Sequence, residues 1–328
     1  MLEPNFLLGA KHYCYYCCEV VYLEGNLRVQ LAGLTFSYPC MLASGVLGYS
    51  AETMQRVIEA GAGAVVSKSV GLKARDGYTN PTVFQAKNGL INAMGLPNPG
   101  IETYVKEIRH VKELICQPLI VSIFGYSAED YAIVAEKAAT AGADALELNV
   151  SCPHVKQTGA EIGQNPNVLS EVVKAVKAAV NIPVFVKLSP NVTDITLLAN
   201  AAVNAGADAL TAVNTLKAIA IDIETTKPVL SNIKGGLSGP AMKNIALRCV
   251  YDLKEKLPNT PIIGCGGVSN WQDAIEFFLA GANAIQIGTA IAYEGPEVFQ
   301  TINLGIKKYL EKKQFRSIEE IVGLSHRR

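Results

Sequence analysis

The sequence is poor in the features that mark most specialised classes of protein. Its 328 residues include one tryptophan, four histidines and eight cysteines, and charged residues make up only 18%. Lysine plus arginine number 29, as do aspartate plus glutamate, so the formal net charge is zero. A nucleic-acid surface needs a basic excess, and there is none. No apolar run reaches the roughly 18 residues of a spanning helix, so no membrane segment is expected. Met1-Leu2-Glu3-Pro4 lacks the cationic start of a secretory signal. Eight cysteines fall far below disulfide-scaffold density, which points to a reducing, cytoplasmic setting. HExxH, Walker A, GxSxG and GxGxxG are all missing, and without the last of these direct dinucleotide binding has no support. Apolar residues, by contrast, reach 49%, as in a globular chain with a sizeable core.

One short pattern organises the rest. Residues 60–65 read AGAGAV, 141–146 AGADAL, 205–210 AGADAL and 280–285 AGANAI. Each follows a helical stretch and precedes a β-rich one, as when a helix ends at Ala, a Gly takes positive φ, and a strand begins at once. Four such joints imply a repeated βα unit. Eight short apolar strands then fall at Cys40–Ala43, Ala64–Lys68, Leu119–Ile123, Ala145–Asn149, Val184–Leu188, Ala209–Val213, Ile262–Cys265 and Ala284–Ile287. They are continuous rather than alternating, as parallel strands buried on both faces should be. Asn165-Pro166 suits the start of one helix. Ser127 with Asp130, and Ser269 with Gln272, have capping-box spacing for two more. The expected fold is α/β, a TIM (β/α)8 barrel, with a doubly wound open sheet as the competitor. An N-terminal β-hairpin, Leu27–Leu31 turning at Ala32-Gly33 into Leu34–Phe36, would close its bottom. The long connections 69–118 and 214–261 would carry lid insertions.

Every predicted strand stops at small or polar residues. Ser44-Gly45 follow the first, Lys68-Ser69 close the second, and Ser122 interrupts the third. Asn149, Ser151 and Cys152 follow the fourth, Lys187 and Ser189 end the fifth, and Asn214-Thr215 end the sixth. Gly266-Gly267 and Gly288-Thr289 follow the last two. In a barrel these ends converge on one mouth, where catalysis is found, so an enzyme is expected. Lys68 and Lys187 sit in buried strands, where an unpaired ammonium would cost several kcal/mol. Either an anionic ligand or a buried carboxylate such as Glu147 would relieve them, and both readings stay open. The glycine loops after strands seven and eight, with Gly235-Gly236-Leu237-Ser238-Gly239 as a third, suit a phosphate. Cys152 is a candidate nucleophile or general base beside the alternative of a buried structural thiol.

Four stretches carry a resemblance. They are Asn92-Ala93-Met94-Gly95-Leu96-Pro97-Asn98-Pro99-Gly100, Asn149-Val150-Ser151-Cys152-Pro153, Val186-Lys187-Leu188-Ser189-Pro190-Asn191 and Gly235-Gly236-Leu237-Ser238-Gly239-Pro240. In this order they resemble dihydroorotate dehydrogenase, cytosolic class 1, and most nearly the catalytic subunit of the NAD-linked (1B) type. The similarity runs from about residue 27 to the end, so residues 27–328 are expected to form one FMN-binding catalytic domain and residues 1–26 an extension outside it. The resemblance implies oxidation of dihydroorotate to orotate in pyrimidine biosynthesis, with one FMN per chain and no metal. Cys152 would remove a proton while hydride passes to the flavin. Asn92, Asn149, Asn214 and Thr215, with backbone groups at Met94, Gly95 and Leu96, would hold the substrate. Lys68 would lie between substrate and flavin, and Lys187 against the isoalloxazine ring. Ser44, Gly45, Ser69, Ser122 and Asn149 would line the flavin. Ser238, Gly239, Gly266, Gly267, Gly288 and Thr289 would surround its ribityl chain and phosphate.

His154 stands where the family usually has asparagine, a Ser-Cys-Pro-His version associated with dihydropyrimidine dehydrogenase, whose substrate lacks the carboxylate. That activity, and a non-catalytic phosphate-binding barrel, are the alternatives. The resemblance also implies a homodimer joined to an electron-transfer subunit carrying FAD and an iron–sulfur cluster, as a heterotetramer. A fumarate-using homodimer is the second possibility. Tyr13-Cys14-Tyr15-Tyr16-Cys17-Cys18 falls short of the four ligands of a zinc or cluster site.

Overall fold

Eight short parallel strands, hydrogen-bonded in a closed ring, form the centre of the computed structural model, which describes residues 27–151 and 162–327. In chain order they are Cys40–Leu42, Val65–Val66, Leu119–Ile123, Ala145–Asn149, Val184–Leu188, Ala209–Ala212, Ile262–Cys265 and Ala284–Ile287. Each lies beside its chain neighbours, and the eighth returns to pair with the first. The expected TIM barrel is therefore present, and closure excludes the open sheet. Nearly every strand residue is buried, because helices cover the outside and side chains fill the inside. The helix Pro166–Ala179 shows the covering logic: Leu169, Val172, Val173 and Val176 face the core, and Asn165 caps its start by accepting from Asn167 and Val168 N–H.

Three strands are shorter than expected. The first ends at Leu42, the second spans only Val65–Val66, and the sixth ends at Ala212. Ala43 N and Val213 N still donate to Ile287 O and Cys265 O on neighbouring strands, at 2.9 and 2.7 Å, but the second strand leaves the ladder as it reaches the mouth. The amide of Lys68, for example, donates to Gly48 O at 2.7 Å rather than to a neighbouring strand. One expected cap shifts by a residue: Asn270, not Ser269, starts the helix Trp271–Ala280, its side chain accepting from Asp273 N at 3.0 Å. Asp273 in turn accepts from Ser269 N at 3.0 Å, so Gln272 takes no part. Ser127 does cap the helix Ala128–Ala141 by accepting from Asp130 N at 3.1 Å, while Asp130 accepts from Tyr126 N instead of the cap residue.

The hairpin forms between Val29–Leu31 and Leu34–Phe36. Ala32 and Gly33 both take positive φ, 50° and 81°, as a two-residue type I′ turn requires. Leu27, Val29, Leu31 and Phe36 join the main core, and Phe36 lies four residues before the start of the first barrel strand at Cys40. The two long connections meet in a four-stranded antiparallel sheet ordered Leu216–Ile219, Lys234–Ser238, Gly89–Asn92 and Val83–Ala86.

The recurring AGA pattern has a second function besides the positive φ of Gly61, Gly142, Gly206 and Gly281. The next residue ties its joint to the start of the preceding strand. Asp144 accepts from Leu119 N at 2.7 Å and from Lys112 Nζ at 2.6 Å. Asp208 accepts from Val184 N and Lys177 Nζ, both at 2.8 Å, and Asn283 accepts from Ile262 N at 3.0 Å. In the first copy Gly63 packs directly on the Tyr38 backbone, where a Cβ would collide with the carbonyl. Asp208→Ala should thus destabilise the chain by about 1–3 kcal/mol in urea denaturation, since it strands a strand-end N–H. Asp208→Asn, which copies the Asn283 arrangement, should lose clearly less; equal losses would show that the backbone bond contributes nothing.

Candidate active site

The strand ends surround a cavity of about 760 Å³, within the range of small-molecule and cofactor sites. Every expected site residue within the described chain lines it. Ser44, Gly45, Lys68 and Ser69 come from the first two strand ends, and Ser122, Asn149, Lys187, Asn214 and Thr215 from the third to sixth. Gly266, Gly267, Gly288 and Thr289 come from the last two. Asn92, Met94, Gly95, Leu96, Ser238 and Gly239 reach in from the covering sheet and its adjoining turns. Cys152, His154 and the cysteines of the N-terminal extension lie outside the described residues. Among the described residues no cluster of three or more His, Cys, Asp or Glu could hold a metal ion. Nor is any helix there long and apolar enough to cross a membrane.

A polar belt runs around half the rim. Ser44 Oγ and Ser69 Oγ lie 3.4 Å apart, and Ser69 Oγ and Ser122 Oγ 2.8 Å. Asn149 Nδ2 donates to Ser69 Oγ at 3.1 Å, while its Oδ1 accepts from Asn214 Nδ2 at 3.2 Å. Asn214 also donates to Ser151 Oγ at 3.0 Å and accepts from Thr215 N at 2.8 Å. These bonds link groups on five strand ends, so each amide is held in one orientation before any ligand arrives.

The two lysines have different surroundings. Lys187 is 6% exposed and donates to Gln286 Oε1 at 2.7 Å and Glu147 Oε1 at 3.4 Å. Burial opposes its charge, yet the Cys265 sulfur and the Glu147 carboxylate together hold its pKa above the usual lysine value. Burial pushes the Cys265 thiol up, so it is neutral at pH 7 and Glu147 is the acting partner. Lys68 has no carboxylate within ion-pair distance among the described residues, and burial pulls its pKa down. Both readings left open by the sequence thus hold at once: Lys187 has its carboxylate and still borders the cavity, while Lys68 faces it without one.

The other side of the cavity is bare. Gly266, Gly267 and Gly239 have φ of 130°, 80° and 91°, and a Cβ on Gly267 would lie 2.8 Å from the Lys243 backbone. Thr289 Oγ1 donates to Ser238 Oγ at 2.8 Å, putting two hydroxyls beside these loops. Small residues, exposed amides and hydroxyls opposite a lysine suit a phosphorylated, electron-rich ligand.

Several lining residues escape sequence reasoning. Arg75 donates to Gly95 O at 2.6 Å and Tyr126 OH at 2.8 Å, and its backbone exchanges two bonds with Asn98. It therefore anchors the turn carrying Met94, Gly95 and Leu96. Nothing in Lys73-Ala74-Arg75-Asp76 separates it from an ordinary solvated charge run. Gln286 did carry a signal, since a carboxamide inside the strand Ala284–Ile287 is as anomalous as Lys187 in its own. Asn191 is fixed by Ser189 Oγ and Thr215 O, at 2.9 and 3.0 Å.

The chain is matched over residues 26–310 by the family model described as dihydroorotate dehydrogenase. It is 53% identical over 302 residues to a protein of Pyrococcus furiosus, covering 92% of this chain and 99% of that one. It is 54% identical over 300 residues to one of Thermococcus kodakarensis, covering 92% and 98%. Both relatives are named dihydroorotate dehydrogenase B (NAD(+)), catalytic subunit. The crystal structure of the Eimeria tenella DHODH in complex with ferulenol superposes with a TM-score of 0.79 at 24% identity, covering 92% of this chain and 89% of that one, and shares its fold.

An ammonium without a carboxylate partner at a cavity wall works against stability and for anion binding. Lys68→Met should raise Tm at neutral pH and weaken anion binding to the cavity by at least about tenfold. Because the folded pKa of Lys68 is depressed, the unfolded chain binds the proton more tightly. The gain in Tm should accordingly be complete at low pH and fade as pH climbs from that depressed value to the ordinary lysine value. A pH-independent difference would mean that packing, not charge, is responsible.

Proposed function

The chain belongs to the dihydroorotate dehydrogenase family, which oxidises dihydroorotate to orotate in pyrimidine biosynthesis, and we propose that it does so with one FMN in this cavity and Cys152 as general base. The observation that carries this reading is the buried Lys187 and the half-buried Lys68 facing one cavity together with a preset belt of serines and asparagines. FMN, when bound, supplies the hydride acceptor. The three glycine-bearing loops, Ser238 and Thr289 would hold its phosphate end, while Lys187 would place positive charge against its ring system. Ser44, Gly45, Ser69 and Ser122 would line the ring.

Dihydroorotate is a planar-edged ring with amide donors and acceptors and one carboxylate. Asn92, Asn149, Asn214 and Thr215 offer it both kinds of partner, and the Met94, Gly95 and Leu96 backbone closes over it. Lys68 brings a charge that the substrate carboxylate would neutralise, or from which a ring carbonyl would accept a hydrogen bond. Cys152 follows Ser151, which lines the cavity, and its thiolate would take the proton as hydride leaves the adjacent carbon. His154 would donate a hydrogen bond to a ring carbonyl where the family commonly has an amide.

The words "catalytic subunit" in the relatives' names support an assembly in which this chain works beside a second subunit; in our proposal that partner transfers electrons through FAD and an iron–sulfur cluster, and the assembly is cytoplasmic. A homodimer of this chain at its centre makes a heterotetramer. Fumarate reduction by the isolated chain, with no gain from NAD plus a partner subunit, would overturn that arrangement.

Purified protein should be yellow and should bleach when dihydroorotate is added without oxygen. Bleaching by dihydrouracil alone would move the activity to the dihydropyrimidine dehydrogenase type, and a colourless chain that refuses FMN would leave only a ligand-binding barrel. Cys152→Ala should keep FMN but slow bleaching by about 100-fold or more near neutral pH. Near-normal bleaching would remove Cys152 from its role.

A further inference from the structure

Behind Lys187 lies a second polar layer that ligand contact does not explain. Glu147 is wholly buried on the fourth strand and receives bonds from three others. Thr211 Oγ1 donates to its Oε2 at 2.9 Å, Gln286 Nε2 donates to the same oxygen, and Lys187 Nζ lies 3.4 Å from Oε1. Gln286 also accepts from Lys187 at 2.7 Å, so one carboxamide bridges the two charges and is oriented by both. Thr211 and Gln286 are themselves almost without exposure. Buried ion pairs are commonly replaceable by apolar groups with no loss of stability, so this layer needs a reason other than holding the barrel together. Glu147 does not line the cavity, whereas Lys187 and Gln286 do.

We propose that Glu147, fixed by Thr211 and Gln286, is a positioning residue that keeps the Lys187 side chain charged and aimed at the cavity floor. A buried lysine left to itself favours the neutral amine. The groups facing Lys187 are Glu147 on the fourth strand, Thr211 on the sixth, Cys265 on the seventh and Gln286 on the eighth. Thr211 and Gln286 carry no charge, and Cys265 is a thiol at neutral pH. Lys68 borders the same cavity and, as a like charge, opposes a second ammonium. At neutral pH, where Cys265 is a thiol, Glu147 is thus the one anion among the described residues within ion-pair distance of Lys187. The consequence for the cofactor rests on the FMN reading above; the charge state itself does not.

The test labels Lys187 with acetic anhydride across a pH series and quantifies the modified peptide by mass spectrometry, on apo and FMN-loaded full-length protein. Only the neutral amine reacts, so the reactivity midpoint reports the ionisation. The wild-type midpoint should stand above that of an ordinary lysine. In Glu147→Gln it should fall by about 2 units or more, as expected of a buried lysine without its partner. Glu147→Asp, which withdraws the charge by one methylene and serves if the amide variant does not fold, should shift it the same way by a smaller step. In yellow Glu147→Gln, sulfite affinity for the flavin should gain a pH dependence of about tenfold, which Glu147→Gln with Lys187→Arg should lose because a guanidinium does not titrate. A wild-type midpoint at or below the ordinary lysine value, or one unmoved in a folded Glu147 variant, would overturn the proposal even if Tm falls. A shifted midpoint in protein that binds no FMN would refute the flavin reading while leaving the role of Glu147 standing.

Discussion

Closure of the ring is the constraint on which the rest depends. Eight parallel strands joined in order place all their C-terminal ends on one rim, and helices and side chains fill the remaining space. A polar side chain in a strand must therefore either find partners inside the barrel or reach the rim. Glu147, Thr211 and Gln286 take the first course, and Ser69, Ser122, Asn149 and Asn214 the second. Lys187 does both, touching the buried layer with its ammonium while bordering the cavity. Chemistry and packing are thus separated by only two or three residues along a strand, as from Glu147 to Asn149 or from Thr211 to Asn214.

Much of this arrangement was legible from local chemistry. Apolar runs ending in Ser, Asn, Lys or Gly locate both a strand and its rim residue, because a barrel strand is buried on both faces until it reaches the mouth. The AGA joints were legible as caps through their glycines, but the role of Asp144, Asp208 and Asn283 was not. Their partners are backbone amides about 20 residues or more earlier, and a backbone amide has no signature in a sequence. Arg75 was hidden for a related reason, since its targets are a carbonyl and a tyrosine hydroxyl on other segments. The shift of a helix cap from Ser269 to Asn270 shows how two adjacent cap-forming residues compete, with Asp273 deciding the outcome.

The lysines illustrate why opposed explanations of one residue need not exclude each other. A carboxylate partner for Lys187 does not remove it from the site, because in a low-dielectric interior the partner is what makes a dependable positive charge there. Lys68, without such a partner among the described residues, is a charge that an anionic ligand would stabilise. One site thus contains a permanent charge and a conditional one, and the difference arises from second-layer residues rather than from the lysines themselves.

The four-stranded covering sheet joins loops that leave the second and sixth strands, which stand opposite each other in a ring of eight. Pairing Gly89–Asn92 with Lys234–Ser238 accordingly throws a bridge across the diameter of the mouth. The same bridge is fastened to the eighth-strand rim, where Ser238 Oγ accepts from Thr289 Oγ1 at 2.8 Å. Roof and rim on that side therefore move as one piece, and any change in the long connection after the sixth strand is transmitted to the glycine loop beside Gly288.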